Sequence, residues 1–301
     1  MRILTAEETA QALPYPALAQ AIAGVLEARA QGLVQAPERL VVPLAGGATL
    51  LLMPATDPQI TVTKLVTVHP QERPSVRAEV WVMRTDTGER LALLDGAVVT
   101  ARRTAAVSLL AAQTLAPHPT GTLLIIGAGV QARSHLEAFQ EGLGTDKVYV
   151  HSRHFEHAEA LASYARGRGL RAQAVRSLEP VLEEVRLIVT ATTSPTPVLR
   201  RAPAGAFIAA VGAYRPRDGR GGPGAGAAGP AVRGYPRGGP CGGRRPFAGR
   251  GGLEPCAAAR GGPAATQAGL EYGALQERGA CAVGSGRSPP GGAIAGHPVS
   301  W

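Results

Sequence analysis

Cysteine is absent from the first 215 residues. Cys241, Cys256 and Cys281 all come later and show no metal-ligand spacing. That excludes a disulfide framework or a cysteine-metal centre from most of the chain, and no metal is expected. Long hydrophobic runs are also missing. No stretch approaches a transmembrane length, and the opening MRILTAEETAQALPYPALAQ has early acids and no export-type apolar segment. A cytoplasmic protein with no membrane partner is the expectation. Residues 216–301 lack more still: they hold no lysine and only eight of Leu, Ile, Val, Met and Phe together. Gly, Ala, Pro and Arg make up 61 of these 86 residues. So little apolar surface cannot offset chain entropy, and this tail is expected to be disordered. Its ten arginines against four acids carry about +6 of the net +9. The basic character therefore says little about the preceding 215 residues.

Those residues carry the patterns of a packed α/β protein. Residues 5–12 and 15–30 read as helices, with Leu18, Ile22, Val25 and Leu26 on one buried stripe. Strand-like runs follow at 39–44, 48–54 and 60–70, then a hairpin over 78–96 turning at Asp86-Thr87-Gly88. Residues 97–115 are alanine-rich and helical, and Pro117 and Pro119 punctuate a linker. From Gly121 the texture alternates. Apolar strands in TLLII, KVYVHSR, RAQAV, LIVTATTS and AFIAAVGAY are separated by helical segments, including SLEPVLEEV. Alternating β and α with near-continuous apolar strands predicts a parallel, helix-covered sheet. The expected organisation is an α/β domain over 1–116, a Rossmann-type domain over 117–215, and the tail over 216–301.

Several features carry chemistry. Gly127-Ala128-Gly129-Val130-Gln131-Ala132 fits GxGxxA between a strand and a helix. Its glycines permit a tight turn and close approach of a pyrophosphate to the helix N-terminus. The next strand ends in His151-Ser152-Arg153-His154, without the acid that would hold a ribose 2′-hydroxyl. A hydroxyl and a guanidinium there suit a 2′-phosphate, so NADP(H) is expected, with NADH the lesser option; a merely solvated Arg153 is the plainer alternative. In ITVTKLVTVHP, Lys64 shares a face with Ile60, Val62, Val66 and Val68. A lysine among apolar neighbours has an easily depressed pKa and suits proton transfer or an anionic substrate, unless it sits at an edge and reaches water. His69, at the end of that run, is either a site residue or a surface imidazole. Of Arg102 and Arg103, one could fork onto a carboxylate or phosphate while the other is solvated. Arg39 is a further candidate anion ligand.

QAPERLVVP, LLLMPA, ITVTKLVTVHP, TARRTAA, LLIIGAGVQARSHLEAF and VTATTSPTPVL, in this order, resemble the ornithine cyclodeaminase/μ-crystallin family over residues 1 to about 214. Within it they look most like the members that reduce cyclic ketimines. The resemblance implies a nicotinamide-binding domain joined to an N-terminal domain that binds substrate and dimerises. It implies that Arg39, Lys64 and Arg103 meet the substrate, with Lys64 managing the imine proton. By the same resemblance Ser75, the Arg103-Thr104 pair, Gly127, Ala128, Gly129, Val130, Gln131, Ser152, Arg153, Thr192, Val211 and Gly212 adjoin the cofactor. The implied reaction is NADPH-dependent reduction of Δ1-pyrroline-2-carboxylate or Δ1-piperideine-2-carboxylate to L-proline or L-pipecolate. Cyclodeaminases of the family carry an aspartate where Ala213 stands, so ring-closing deamination of ornithine with NAD is disfavoured. Nothing in the sequence speaks for a non-enzymatic ligand-binding role.

The tail departs from that resemblance. All four of its dominant residues have codons with G or C in the first two positions, as a GC-rich gene gives when read out of frame. Moving the frame by one base across 217–240, with wobble bases chosen freely, permits a helix-like segment followed by LYVDTL. A frameshift near 216 is the expectation, which would leave the chain poorly folded and inactive as written. An RGG-like nucleic-acid-binding tail is the rival, disfavoured by the scarcity of interleaved aromatics, and no nucleic acid partner is expected.

Overall fold

The computed structural model describes residues 1–194, 196–211 and, as backbone, 232–234. The first half builds a six-stranded sheet from β1 (Arg2–Ile3), β2 (Leu40–Pro43), β3 (Thr49–Thr56), β4 (Ile60–Val68), β5 (Val76–Arg84) and β6 (Arg90–Asp95). Their order is β1-β6-β5-β4-β3-β2, antiparallel except for β1 against β6. The Asp86–Gly88 turn closes the β5–β6 hairpin, with Gly88 at φ 70°. Helix α1 (Ala6–Gln11) starts at a capping box in which Thr5 and Glu8 satisfy each other's backbone N–H groups. Helix α2 (Tyr15–Ala30) buries Tyr15, Ala19 and Leu26. Val25 is 45% exposed, against the stripe expected for it. The inward face follows the Tyr15–Ala19–Ile22–Leu26 line, one helical position round from Val25.

Helix α3 (Gly96–Leu115), N-capped by the Asp95 carboxylate on Val98 N–H, leads from this sheet into the next. The second sheet contains β7 (Thr122–Ile126), β8 (Lys147–His151), β9 (Arg171–Ala174), β10 (Val185–Ala191), β11 (Phe207–Val211) and β12 (Val232–Gly234), in the order β12-β11-β10-β7-β8-β9. Strands β7 to β11 are mutually parallel, as the alternating texture predicts. Leu123, Ile125, Val148, Val150, Leu187 and Val189 point to one face, under α3, α4 (Val130–Leu143) and α5 (Phe155–Gly167). Alternate residues Leu124, Ile126, Tyr149 and Ile188 point to the other. Among the described residues that second face is covered not by helices but by Val175, Val181, Leu182, Val198, Leu199 and Ala202. The helix expected in SLEPVLEEV is reduced to one 3₁₀ turn at Leu182–Glu184. Pro180 lacks the N–H a longer helix needs, and β10 claims the chain from Val185.

Of the tail, only 232–234 is described. Its backbone pairs antiparallel with β11. The rest of 216–301, with its three cysteines, lies outside the described residues, as do Gly212 and Ala213.

Tertiary contacts lock the two halves together through Glu137 on α4. Its carboxylate accepts from Tyr15 (3.0 Å), Tyr164 (2.7 Å) and Arg133 Nε (3.1 Å). Burial pushes Glu137 upward, but these bonds outweigh it and hold the carboxyl below its ordinary range. Arg102 belongs to the same knot. It is not the solvated arginine expected: Nε donates to Leu13 O at 2.7 Å and the guanidinium lies 3.8 Å from the centre of the Tyr15 ring. The helical rotation of 100° per residue explains the division of labour. Arg102 turns toward α2 while Arg103 turns toward the first sheet.

Candidate active site

The Rossmann turn lies where the strand order reverses. From β7 the chain steps outward through β8 and β9 on one side, then crosses to β10 and β11 on the other. Such a switch point opens a crevice at the carboxyl ends of the strands. Gly127 follows β7 there with φ 120°, and its N–H donates to His151 O at 2.8 Å. A Cβ on Gly127 would come within 2.1 Å of Ala191 O at the end of β10, so only glycine can occupy this position. Gly129, the N-cap of α4, has nothing within 4 Å of where its Cβ would be, and no side chain caps the helix. Val130 is 73% exposed beside it. Gln131 Oε1 is buried without a hydrogen-bond partner among the described residues. Uncapped helical N–H groups and open space above Gly129 fit the pyrophosphate of a dinucleotide.

Ser152, Thr192 and Val211 come to the same sheet edge, through β8, β10 and β11 respectively. Ser152 is half-buried and Arg153 exposed; the Thr192 hydroxyl accepts from Ser194 N–H at 3.2 Å. Ala128 is half-buried within the turn.

A second cluster forms on the first sheet. Lys64, in the middle of β4, stands between Met53 on β3 and Val80 on β5. It is an interior position of the sheet, so the edge-strand alternative falls away. Burial, then the charges of Arg103 and Arg39, bring the Lys64 ammonium down to about 8. Burial likewise brings Arg103 down to about 10. Three cations close enough to feel one another, with no carboxylate among the influences on Lys64 or Arg103, make a site that seeks an anion. Ser75 is half-buried in the loop joining β4 to β5, its carbonyl accepting from His69 N–H at 2.7 Å. That bond places His69 at the mouth of the same loop.

Helix pairing sets the level of the two clusters. His135 Nε2 meets Ser108 Oγ at 2.9 Å, and Gln113 Nε2 donates to Gly142 O at 3.3 Å. Helices α3 and α4 thus run parallel, and four residues back from the Ser108–His135 contact Thr104 stands level with Gln131, about 6 Å along the axes. Arg103 therefore projects from α3 at the height of the phosphate-type turn. Thr104 is buried, and its hydroxyl donates into its own helix at Thr100 O, 2.6 Å away.

His135 itself escaped the sequence reading. It is fully buried, with Nδ1–H donating to Gln131 O at 2.7 Å and Nε2 accepting from Ser108, and burial brings it down to about 4, so it is neutral. Its place on the apolar face of α4, next to Leu136 and three residues after Ala132, was the available signal.

Comparison with known proteins agrees with this geometry. Residues 1–220 match the ornithine cyclodeaminase/mu-crystallin family. Delta(1)-pyrroline-2-carboxylate reductase 1 of Burkholderia multivorans is 35% identical over 219 residues, covering 70% of this chain and 69% of the relative. Ketimine reductase mu-crystallin of Mus musculus is 37% identical over 228 residues, 71% of each chain. Among solved structures, Delta(1)-pyrroline-2-carboxylate reductase of Thermococcus litoralis, in complex with NADH and L-proline, superposes with a TM-score of 0.60 at 25% identity, covering 70% of this chain and 68% of that one. With a match spanning both the cationic cluster and the GxGxxA turn, the chain belongs to the ornithine cyclodeaminase/mu-crystallin family.

Proposed function

We propose that this protein is an oxidoreductase that reduces the C=N bond of small cyclic α-imino acids, Δ1-pyrroline-2-carboxylate and Δ1-piperideine-2-carboxylate, to L-proline and L-pipecolate. The observation that carries the reading is the Lys64–Arg39–Arg103 cluster, level with an open pyrophosphate-type turn. The substrate's carboxylate answers the cluster's charge, and its imine carbon is then presented to the cofactor. A bound nicotinamide supplies the hydride. Arg103 and Arg39 hold the carboxylate and fix the ring's orientation, which is where much of the rate originates. Lys64, poised near neutrality, holds and exchanges the proton of the imine nitrogen. Uncapped N–H groups of α4 grip the pyrophosphate.

The proposed cofactor is NADPH, with Ser152 and Arg153 at the 2′-phosphate. The proposed division runs 1–116 for substrate and dimerisation and 117–215 for the cofactor. A homodimer in the cytoplasm completes the reading. Leu40 (57% exposed) and Val41 (53%) on the edge strand β2, with Leu44 and Val76 nearby in exposure, are the apolar surface that supports dimerisation. The frameshift reading of 216–301 stays part of the proposal, and the family match over residues 1–220 supports it. The nucleotide sequence of codons 210–220 tests it directly.

The deciding assay follows NADPH consumption with each cyclic imine on a chain whose frame has been restored, against ammonia release from ornithine with NAD. Imine-dependent oxidation without ammonia release is the expected result; the reverse pattern would replace the reductase by a cyclodeaminase.

A further inference from the structure

We propose that Arg176, seated on Phe155, is a cofactor-specificity residue that binds the 2′-phosphate of NADP(H) from the strand β9 side of the crevice. The inference rests on the dinucleotide reading above and extends it to a residue two positions beyond the third parallel strand.

Strand pairing puts Arg176 in place. Strands β8 and β9 run parallel with Tyr149 beside Gln173 and Val150 beside Ala174. The pairing continues past the strand ends: Val175 N–H donates to Val150 O at 2.8 Å, and His151 Nδ1 donates to Val175 O at 3.0 Å. One step further in the same register, Arg176 stands alongside Ser152. Ser152 is the residue at the position where a ribose-binding acid would be, so Arg176 flanks the ribose subsite laterally.

The side chain is already shaped for the task. Its guanidinium carbon lies 3.9 Å from the centre of the Phe155 ring, at the first residue of α5. Stacking of this kind fixes the plane of the guanidinium while leaving its N–H edge for an anion. Neighbouring arginines on this domain are engaged otherwise. Arg166 pairs with Glu159, Arg168 with Glu141 and Arg171 with Asp146. Arg176 has no hydrogen bond or ion pair with any described residue. Arg176 stands beside Ser152 across the strands, and Arg153 follows Ser152 in the chain. The acid in the vicinity, Glu156, lies 3.7 Å from the His154 ring and on the α5 side. A dianionic phosphate beside Ser152 matches the free N–H edge of Arg176, and a bare 2′-hydroxyl leaves that guanidinium without a counter-charge.

The test uses the full-length chain with its frame restored, as in the assay above, and reads binding rather than turnover. NADP⁺, NAD⁺, 2′,5′-ADP and 5′-AMP are titrated calorimetrically into the parent chain, Arg176→Ala and Arg176→Lys. The parent is expected to prefer NADP⁺ and 2′,5′-ADP. Arg176→Ala should lower the NADP⁺/NAD⁺ affinity ratio by about tenfold or more, as expected for losing a charge-assisted bond. Arg176→Lys should fall between, because it keeps the charge but loses the stacked fork. A parent that prefers NADP⁺ with a ratio unchanged within twofold in Arg176→Ala overturns the role of Arg176 alone. A parent that prefers NAD⁺, or binds no nucleotide, overturns the cofactor reading beneath it. Arg176 is exposed, and thermal unfolding of both variants within about 2 °C of the parent establishes that the ratio reports binding.

Discussion

Two glycines two residues apart, Gly127 and Gly129, should respond to the same alanine substitution in opposite ways. At Gly127 the backbone is left-handed, and the new Cβ would lie 2.1 Å from Ala191 O, where real Cβ atoms essentially never come within 3.0 Å. Backbone strain of about 1–2 kcal/mol and overpacking of about 1–3 kcal/mol give a destabilisation of roughly 2–5 kcal/mol. For a protein of this size that lowers Tm by on the order of 10 °C. At Gly129 φ is −87°, and the methyl group meets nothing within 4 Å. Alanine is a poorer N-cap than glycine by under about 1 kcal/mol. It also narrows the unfolded ensemble by about 0.4–1 kcal/mol in compensation. Gly129→Ala should therefore melt within about 3 °C of the parent. Yet its methyl group would stand in the space through which a pyrophosphate reaches the α4 N–H groups. Each charge-assisted hydrogen bond lost there is worth about 1.5–3 kcal/mol, so NADP⁺ affinity should fall tenfold to more than a hundredfold. Differential scanning fluorimetry and calorimetric titration on the same preparations separate the two effects. Gly129→Ala binding NADP⁺ within twofold of the parent would refute the placement of the cofactor over this turn.

Lys64→Met should cut imine turnover by at least a hundredfold in a frame-restored chain while raising Tm in the absence of ligand. Lys64 is depressed from 10.5 to about 8, so the folded state binds fewer protons than the unfolded state between those values, and stability rises with pH across that window. Below about 8 the charged ammonium opposes folding, and methionine removes that opposition; a Tm unchanged or lowered at pH 7 would contradict the burial argument. In steady-state kinetics, kcat/KM should decline as pH rises through about 8, as Lys64 loses its proton and the site falls from three cations to two. A profile flat from pH 7 to 9 would remove Lys64 from the substrate contact. Glutamate at Leu40 and Val41 together should convert a dimer to a monomer by light scattering, with little change in the unfolding of the subunit.

Local chemistry made much of the fold readable. The 3.6-residue periodicity of α2, the Thr5–Glu8 capping box and the apolar strands of the second sheet each depend on residues near one another in sequence. The reading failed where long-range packing decides. Val25 has the right character for the core and the wrong angle, because the face of α2 is set by Tyr15, whose hydroxyl reaches Ser134 and Glu137 more than a hundred residues away. Arg102 and Arg103 are indistinguishable as letters. Only the helix's position between α2 and the first sheet assigns one to a structural knot with Tyr15 and the other to the Lys64 cluster.

The site divides along the same line. GxGxxA announces itself because its geometry is local: a strand end, a forced left-handed glycine, a helix start. Lys64 was legible by violation, a charge on an apolar face, although its partners come from two other elements. Arg176 had no such signature. In sequence it is one arginine among many in a basic chain. What distinguishes it is that β9 lies next to β8 with no offset at their carboxyl ends, and that Phe155 provides a flat platform at the start of α5. Both facts follow from sheet order, which residues alone do not declare. The general consequence is physical: a residue that recognises a ligand by converging with others is recorded in the register between strands, while a residue that recognises it through its own backbone is recorded in its immediate neighbours. The phosphate-type turn is of the second kind, and the cationic clusters on both sides of it are of the first.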